Sequence, residues 1–373
     1  MPSNKKTKKY VLKTNFTQSM AKSLKLTFGF LLLSMLLISK AANSQGLFSP
    51  KNVVNQYTTV GFGAGSAHYI GDLALPSHFY RSLYKNVRWN LNANYTKYLT
   101  PNAAIRVQLS WVRLLGDDYT YGKDNLDLYY QSYIRNLHFR NDVKEVALSG
   151  IFNLIPNIGK GGARNRSKFT PYATIGIGLI AHDPKATLPD IITKAPGYSG
   201  DKWQSLRQYN TSGQAIPNST IEQYSLVQAV IPLGLGVRMK VNNKIDITLE
   251  GNLRITNTDY LDDVGPANYA DLTQLENYGG ELSNLLSYRA AESTSSRTGE
   301  DRLPLLYQIY GDPDKLGAIA GPDPLGTLAS SYGPEGSISK QRGSKGFLKD
   351  MYGTTQITIS YIISDKIKCP VLK

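Results

Sequence analysis

A two-residue alternation of apolar and polar side chains is the feature that most constrains this chain. Residues 87–96 put Val, Trp, Leu, Ala and Tyr on one face and Arg, Asn and Thr on the other. Residues 105–111 repeat the pattern after the short segment 99–102. A period of two is typical of a β-strand with one apolar face, and the short separation predicts a hairpin. No apolar run after residue 44 reaches the length of a transmembrane helix.

Eight such segments follow one another along the chain. They are predicted at residues 57–70, 87–98, 103–115, 144–154, 172–181, 225–239, 245–255 and 354–362. Short connections alternate with long ones, as in outer-membrane barrels, which have short periplasmic turns and long extracellular loops. We therefore predict an all-β fold: a closed, eight-stranded antiparallel transmembrane β-barrel of the OmpA/OmpX-like kind, with long extracellular loops. Both termini are assigned to the periplasm, and the protein to the cell outer membrane.

The first 44 residues have the features of a secretory signal peptide. Lys22 and Lys25 precede the apolar run 26–38, and small residues precede a predicted cleavage before Gln45. The signal starts either at Met1 or at Met20. Its removal takes away eight lysines and no acid, so the net charge falls from +14 to about +6 and a nucleic-acid partner loses its support.

The rest of the chain divides into three predicted parts. Residues 45–56 form an N-terminal periplasmic segment, residues 57–363 the barrel, and residues 364–373 a basic periplasmic tail. A long insertion at about 265–352 belongs to the last loop of the barrel.

Polar residues of the strands should fill the interior, because eight strands leave only enough room for side chains. Five charged residues are expected to meet there as ion pairs that block the lumen: Arg88, Arg106, Glu145, Glu250 and Arg254. Several tyrosines lie near predicted strand ends and suit aromatic girdles at the two membrane interfaces. They are Tyr57, Tyr69, Tyr98, Tyr172, Tyr224, Tyr352 and Tyr361.

Short phrases of the sequence resemble a known family. They are YIGDL at 69–73, RLLGDD at 113–118, NLHFRND at 136–142, FTPY at 169–172, DPKA at 183–186, IPLG at 231–234 and DYLDDV at 259–264. Together they are similar to the PorG-like outer-membrane barrels of Bacteroidota. The resemblance runs from about Tyr57 to Val264 and resumes near Arg342–Tyr361, whereas residues 265–339 are a polar insertion without a counterpart. It implies a component of the type IX secretion system that anchors a periplasmic ring, built from a lipoprotein and a partner subunit, to the outer membrane.

No catalytic, cofactor-binding or metal site is expected, and we do not predict an enzyme. Residues 176–181 match the G-x-G-x-x-A dinucleotide fingerprint, but they lie inside a predicted strand rather than between a strand and a helix. Aspartates at strand ends, such as Asp72 and Asp262, are ordinary turn residues, although Ca²⁺ binding is an alternative.

Two basic clusters are predicted on the periplasmic side and are candidate partner-binding residues. They comprise Lys160, Arg164, Arg166 and Lys168 in one turn, and Lys366 and Lys368 in the tail. We hypothesise that they bind an acidic periplasmic partner or anionic lipid; a solvated basic rim is the alternative. Cys369, the single cysteine, is a candidate for pairing between molecules. Two other functions stay open: a small porin or adhesin-like barrel acting through its extracellular loops, and a lipid-modifying enzyme, which the lack of a Ser/His constellation disfavours.

Overall fold

The computed structural model describes residues 57–74, 80–81, 83–155, 162–217, 219–265, 268–312, 315, 323–343 and 349–363. The signal peptide, the segment 45–56 and the tail 364–373 lie outside these residues. The described residues include ten strands: β1 (Tyr57–Ile70), β2 (Arg88–Tyr98), β3 (Ala103–Asp117), β4 (His138–Asn153), β5 (Phe169–Ala181), β6 (Pro184–Thr187), β7 (Trp203–Ser205), β8 (Val227–Lys240), β9 (Ile245–Thr256) and β10 (Met351–Ile363).

Eight of these strands form a closed antiparallel barrel, which confirms the predicted fold class. Their order is β3-β2-β1-β10-β9-β8-β5-β4, and β3 pairs with β4 to close the ring. The first and last strands are neighbours, with Val60 opposite Tyr361. The short strands β6 and β7 extend the sheet beyond the barrel from the edge of β4. Closure leaves the barrel without an unpaired edge, as hydrocarbon requires.

The outside of the barrel is apolar on every strand. One outward residue from each strand is between 47% and 68% exposed: Phe62, Leu91, Leu109, Leu148, Ile177, Leu235, Leu249 and Ile357. Leucine, isoleucine and phenylalanine around a whole circumference are suited to lipid rather than water. The alternate residues are buried inside, as the two-residue period predicts. Many are polar, such as Gln108, Ser110 and Gln356, whereas Val112, Val143 and Ile151 are apolar inward residues.

The predicted tyrosine girdles are largely wrong. Tyr57, Tyr69, Tyr98, Tyr172 and Tyr352 are all at most 7% exposed, because they fall on the inward positions of their strands. The hydroxyls of Tyr69, Tyr98, Tyr172 and Tyr352 find partners in the lumen or at its ends, and the Tyr57 ring stacks on Tyr98. Tyr224 is also buried, in a loop, whereas Tyr361 points outward and is 52% exposed.

The two ends of the barrel differ in the length of their connections. At the turn end, residues 99–102, 154–168 and 241–244 join neighbouring strands. At the loop end, four long segments follow the strands: loop 1 (71–87), loop 2 (118–137), loop 3 (182–226) and loop 4 (257–350). Eight helices are described: α1 (Asp118–Gly122), α2 (Leu126–Arg135), α3 (Gly162–Asn165), α4 (Asp190–Thr193), α5 (Leu272–Gly279), α6 (Glu281–Ser287), α7 (Leu303–Tyr310) and α8 (Pro324–Ser331).

Loops 2 and 4 fold together into a cap with its own apolar core. Tyr133 and Ile134 of α2 pack with Leu306 and Ile309 of α7 and with Leu328 of α8. The long insertion, which its composition suggested was polar, therefore buries an apolar side of its helices against loop 2. A second small cluster joins loop 3 to α6. Within the described part of the chain, no helix has both the length and the apolar character needed to cross a membrane.

Candidate functional site: a filled lumen with two different ends

An ion pair joins opposite walls at the middle of the lumen. Arg106 of β3 donates two hydrogen bonds to Glu250 of β9, at 2.8 and 3.0 Å. The same carboxylate accepts from the Tyr172 hydroxyl at 2.7 Å, from Asn252 at 2.8 Å and from Gln356 at 3.2 Å. Five donated hydrogen bonds offset the desolvation of this buried charge. The pair therefore fixes β3 relative to β9 across the barrel.

A second ion pair lies nearer the loop end, four residues further along β9. The guanidinium of Arg254 donates to both carboxylate oxygens of Glu145 on β4, at 3.1 and 3.4 Å. The Tyr352 hydroxyl donates to Glu145 at 2.7 Å, and Arg254 also bonds to Thr354. The structure thus brings four of the five predicted lumen residues together, in two pairs.

Arg88 is the exception and is a correction to the predicted network. It is the first residue of β2, so its side chain lies at the loop-end rim, beyond the height of the two pairs. There its guanidinium donates to the Val87 carbonyl at 2.7 Å. The charges that act on it there are those of Arg297, Asp117 and Arg113. The alternation of the sequence correctly places Arg88 on the inward face of β2. It does not give the height of the residue along the barrel, which also decides which charges can pair.

Little space remains between these side chains. A cavity of about 20 Å³ lies beside Arg106 and Arg238, enough for about one water molecule. Strand β1 has glycine at successive inward positions because its neighbours occupy the lumen. A Cβ at Gly61 would lie 2.7 Å from the Ser360 hydroxyl and 2.9 Å from Asn94 Oδ1, and one at Gly63 would overlap the Thr358 hydroxyl. The described lumen is therefore packed rather than open.

Aromatic and charged side chains close the turn end. Tyr57 and Tyr98 stack with ring centres 4.2 Å apart, and Arg238 donates to the Tyr98 hydroxyl at 2.6 Å. Below them, Arg166 forms a buried ion pair with Asp246 at 2.8 Å. Arg166 also donates to the carbonyls of three neighbouring turn residues, Ala163, Asn242 and Asn243.

Arg166 therefore corrects one member of the predicted docking cluster. It is 6% exposed and its donors are used within the protein, so it holds the turns together rather than facing a partner. Arg164 and Lys168 are exposed at the turn end, as a docking role would require. Lys160, Lys366, Lys368 and Cys369 lie outside the described residues.

At the loop end, two buried carboxyl groups meet at one tyrosine. The Tyr69 hydroxyl is 2.7 Å from Asp262 and 2.7 Å from Asp350. A hydroxyl has only one proton to donate, so one of the two acids must supply another proton for both contacts to be hydrogen bonds. Burial, with Asp72 nearby, raises the pKa of Asp262 well above its ordinary value, and burial with Asp262 nearby does the same for the pKa of Asp350.

Buried arginines tie the loops of the cap together, and the sequence analysis did not identify them. Arg135 binds both oxygens of Asp118, and donates to the carbonyls of Arg342 at 2.6 Å and Asp72 at 2.9 Å. It thereby joins loops 1, 2 and 4. Arg302 donates to the carbonyls of Tyr133 and Ile134 at the end of α2. Asn136, with φ of 59° directly after α2, is the local signal that a helix ends there.

Two further features could indicate chemistry, namely clusters of metal-ligating side chains and the glycine-rich segment of β5. In the described residues, no group of three or more His, Cys, Asp or Glu side chains is arranged to hold a metal ion. The glycine-rich segment 176–181 lies within β5, and a Cβ at Gly176 would be 2.3 Å from the Leu148 carbonyl. These glycines therefore allow close packing of β5 against β4 and do not form a phosphate-binding turn.

A closed eight-stranded barrel with an apolar outside, a polar inside and long loops at one end defines an outer-membrane β-barrel. No family model matches the sequence, and no curated protein matches it. Among solved structures, the chain is similar to Ail of Yersinia pestis in complex with the heparin analogue sucrose octasulfate: 8% identity, 83% of this chain and 99% of that chain covered, TM-score 0.31. It is also similar to Neisserial surface protein A, with 8% sequence identity and a TM-score of 0.32, and the match covers 82% of this chain and 96% of that chain. A third similar structure is the N-terminal barrel of Pseudomonas aeruginosa OprF, with 6% sequence identity and a TM-score of 0.28, where the match covers 82% of this chain and 97% of that chain. Likeness at these scores carries no inference about function.

Proposed function

We propose that this protein is a non-conducting outer-membrane scaffold that anchors a periplasmic complex through the turn end of its barrel. The observation that carries the proposal is the filled lumen: two cross-barrel ion pairs and the Tyr57–Tyr98 stack occupy the path between the two ends. A barrel sealed in this way acts through its surfaces. In this proposal the protein is not an enzyme, and its partners are outer-membrane lipid and periplasmic proteins.

The charges of the turn end support a docking role there. The described cations at this end are Lys97, Arg164, Lys168, Lys240 and Lys244, in addition to the buried Arg166 and Arg238. The acid described among these turns, Asp246, is buried against Arg166. Among the residues that the structure describes at these turns, the exposed charge is therefore all positive, which favours an acidic partner surface. With the short turns in the periplasm, both termini are also periplasmic.

The resemblance to PorG-like barrels suggests what the partner is. In this finer proposal, the turn end holds a ring of a lipoprotein and a second subunit in a type IX secretion machine. Charge reversal tests it: Arg164→Glu with Lys168→Glu should abolish co-purification of periplasmic partners after extraction in mild detergent. The matched control is Lys194→Glu with Lys202→Glu, which reverses two exposed charges in loop 3 and should leave recovery unchanged. Full recovery with the turn-end variant would reject docking at these residues.

A second measurement separates the scaffold from a porin. The purified protein in planar bilayers should give no stepwise conductance, because the lumen has room for about one water molecule beside Arg106. Regular conductance steps would overturn the sealed-lumen proposal and favour the porin.

An adhesin-like role through the cap is a second candidate, favoured by exposed apolar side chains on its surface. Tyr278 and Tyr307 of the cap are 61% and 51% exposed, and Ile191 of loop 3 is 77% exposed. Exposed apolar side chains that form one patch mark interaction sites, so this role requires these side chains to act together. If this role is correct, intact cells producing Tyr278→Ser with Tyr307→Ser will adhere to host-type surfaces more weakly than wild-type cells, while secretion stays normal.

A further inference from the structure

A basic patch lies on one side of the barrel, at the height where the apolar outer belt ends. The exposed apolar positions of β3 end at Trp111, and those of β4 end at Val146. The next outward residues toward the loop end are Arg113 on β3 and Lys144 on β4, and Arg140 lies further along β4. Strand pairing sets Trp111 opposite Lys144, so the cations border the lipid-facing surface directly.

Arg140 is the least satisfied cation of this patch. Its guanidinium carbon lies 4.2 Å from the ring centre of Trp203 on β7. Its Nε is buried and has no hydrogen-bond partner among the described residues. In the same part of the chain, no carboxylate forms an ion pair with Arg140. A guanidinium held flat on an aromatic ring, with donors left unused, is prepared to bind an anion from outside the chain.

The surrounding charges make the patch positive. We define the outer basic patch as Arg113, Arg140, Lys144 and Lys185, together with the acids Asp142 and Asp183. Arg113 is neutralised by two hydrogen bonds to Asp142, at 2.6 and 2.9 Å, and Lys185 lies 3.7 Å from Asp183. Lys144 is exposed and has no ion-pair partner among the described residues. Arg140 and Lys144 therefore remain without a counter-ion.

On the opposite half of the loop-end rim, the described cation Lys349, two residues before Met351, is held by hydrogen bonds to Asn257 at 2.9 and 3.2 Å. The last outward residues of β8, β9, β10 and β1 are Val227, Ile255, Met351 and Ile70. The patch is thus a local feature of the β3–β4 side and not a general property of the rim.

We propose that the outer basic patch binds the phosphate groups of an outer-leaflet glycolipid. Trp89 and Trp111 pack edge to face at 5.1 Å beside the patch, where indole rings favour the boundary between hydrocarbon and headgroups. A guanidinium suits the geometry of a phosphate. Two residues separated by four positions on one strand lie about 13 Å from each other. Arg140 and Lys144 can therefore contact a headgroup that carries more than one phosphate. The inference rests on the proposed orientation with the loop end outside.

Retention of lipopolysaccharide by the full-length protein tests this site. The protein is purified in detergent, incubated with lipopolysaccharide, washed, and examined by native mass spectrometry for bound glycolipid. Arg140→Gln with Lys144→Gln should reduce retention about tenfold or more, because two charge-assisted contacts are lost. The control Lys194→Gln with Lys202→Gln removes two exposed cations of loop 3 and should retain wild-type levels. Trp203→Ala, which removes the support of Arg140, should give an intermediate loss.

Further arms identify the source of the phosphate and keep the test independent of folding. Dephosphorylated lipopolysaccharide should bind no better to wild type than to the double variant. Inorganic phosphate at equal concentration should not displace the glycolipid; full displacement would overturn a lipid site in favour of a free anion. Equal retention by wild type and double variant, with both showing the same heat-dependent gel shift of a folded barrel, would overturn the proposal. Binding of lipopolysaccharide to the protein in detergent does not depend on which way the barrel is oriented in the membrane. Protease treatment of intact cells tests that orientation separately.

Discussion

The lumen and the base of the cap both bury carboxyl groups, but they stabilise them in opposite ways. In the lumen, Glu145 and Glu250 each face an arginine and a tyrosine. At the cap base, Asp262 and Asp350 face a shared tyrosine and one another, while the backbone N–H groups of Val264 and Leu261 each donate to one of them. One site balances charge with charge, whereas the other depends on a shared proton.

This difference separates what holds the barrel from what holds the cap. The lumen pairs join β3 and β4 to β9, so they fix strand register by pairing opposite charges. The cap base joins loop 4 to β1 and weakens when its acids lose their protons. We therefore expect the two regions to respond to different perturbations, with the barrel the more resistant.

The largest effect should come from breaking one lumen pair. Arg106→Leu leaves Glu250 buried without its cation, and removing one partner of a buried pair costs about 3–5 kcal/mol. The double variant Arg106→Leu with Glu250→Leu should recover much of this loss, because replacing both charges with apolar groups is often nearly neutral. Urea unfolding in detergent micelles measures both. A single variant as stable as wild type would show that the pair does not stabilise the lumen.

A smaller and more local effect is expected in the cap. Arg135→Met removes both hydrogen bonds to Asp118 and the contacts to the carbonyls of Arg342 and Asp72. Truncating one partner of a buried hydrogen-bonded charge pair costs about 2–5 kcal/mol. Loops 2 and 4 should therefore become sensitive to limited proteolysis while the urea midpoint of the barrel stays unchanged. Lys123→Met, which breaks the exposed pair with Glu300 at 3.3 Å, is the control and should change little. Equal protease resistance of Arg135→Met and wild type would contradict this role.

Barrel and cap also differ in how far the sequence predicted them. The alternation of apolar and polar residues, such as Leu91 and Asn92, is a local pattern that can be read from neighbouring residues. It was therefore sufficient to predict the strands, the closed barrel and four of the five charges that pair in the lumen. The cap depends on contacts between loops far apart in sequence, such as Arg302 with Tyr133, and no local period reports them. The misplaced residues show a related limit. Arg166 lies in a basic stretch of sequence that suggests docking, but its side chain is buried in an ion pair with Asp246, which is far away in the sequence.

The smallest effect, and the one that most directly separates the two regions, is a dependence of stability on pH. Burial raises the pKa of Asp259 and of Asp263 to about 6, and raises the pKa of Asp262 and Asp350 well above its ordinary value. A raised pKa means that the folded protein binds more protons than the unfolded chain above about pH 4, the ordinary value for aspartate. This contribution to stability is therefore fully present below about pH 4 and is lost as the pH rises through 6 and beyond.

Thermal unfolding of the cap between pH 5 and pH 8 measures this dependence. The melting temperature of the wild type should fall by a few degrees as the pH rises, since about 1.4 kcal/mol corresponds to each unit of pKa shift. Asp350→Asn keeps the shape of the side chain but cannot ionise, so its curve should be flatter. Asp127→Asn, at a side chain 90% exposed on loop 2, is the control and should keep the wild-type slope. A melting temperature that rises with pH would show that the acids are ionised at the cap base, and that cap and lumen neutralise their carboxyl groups in the same way.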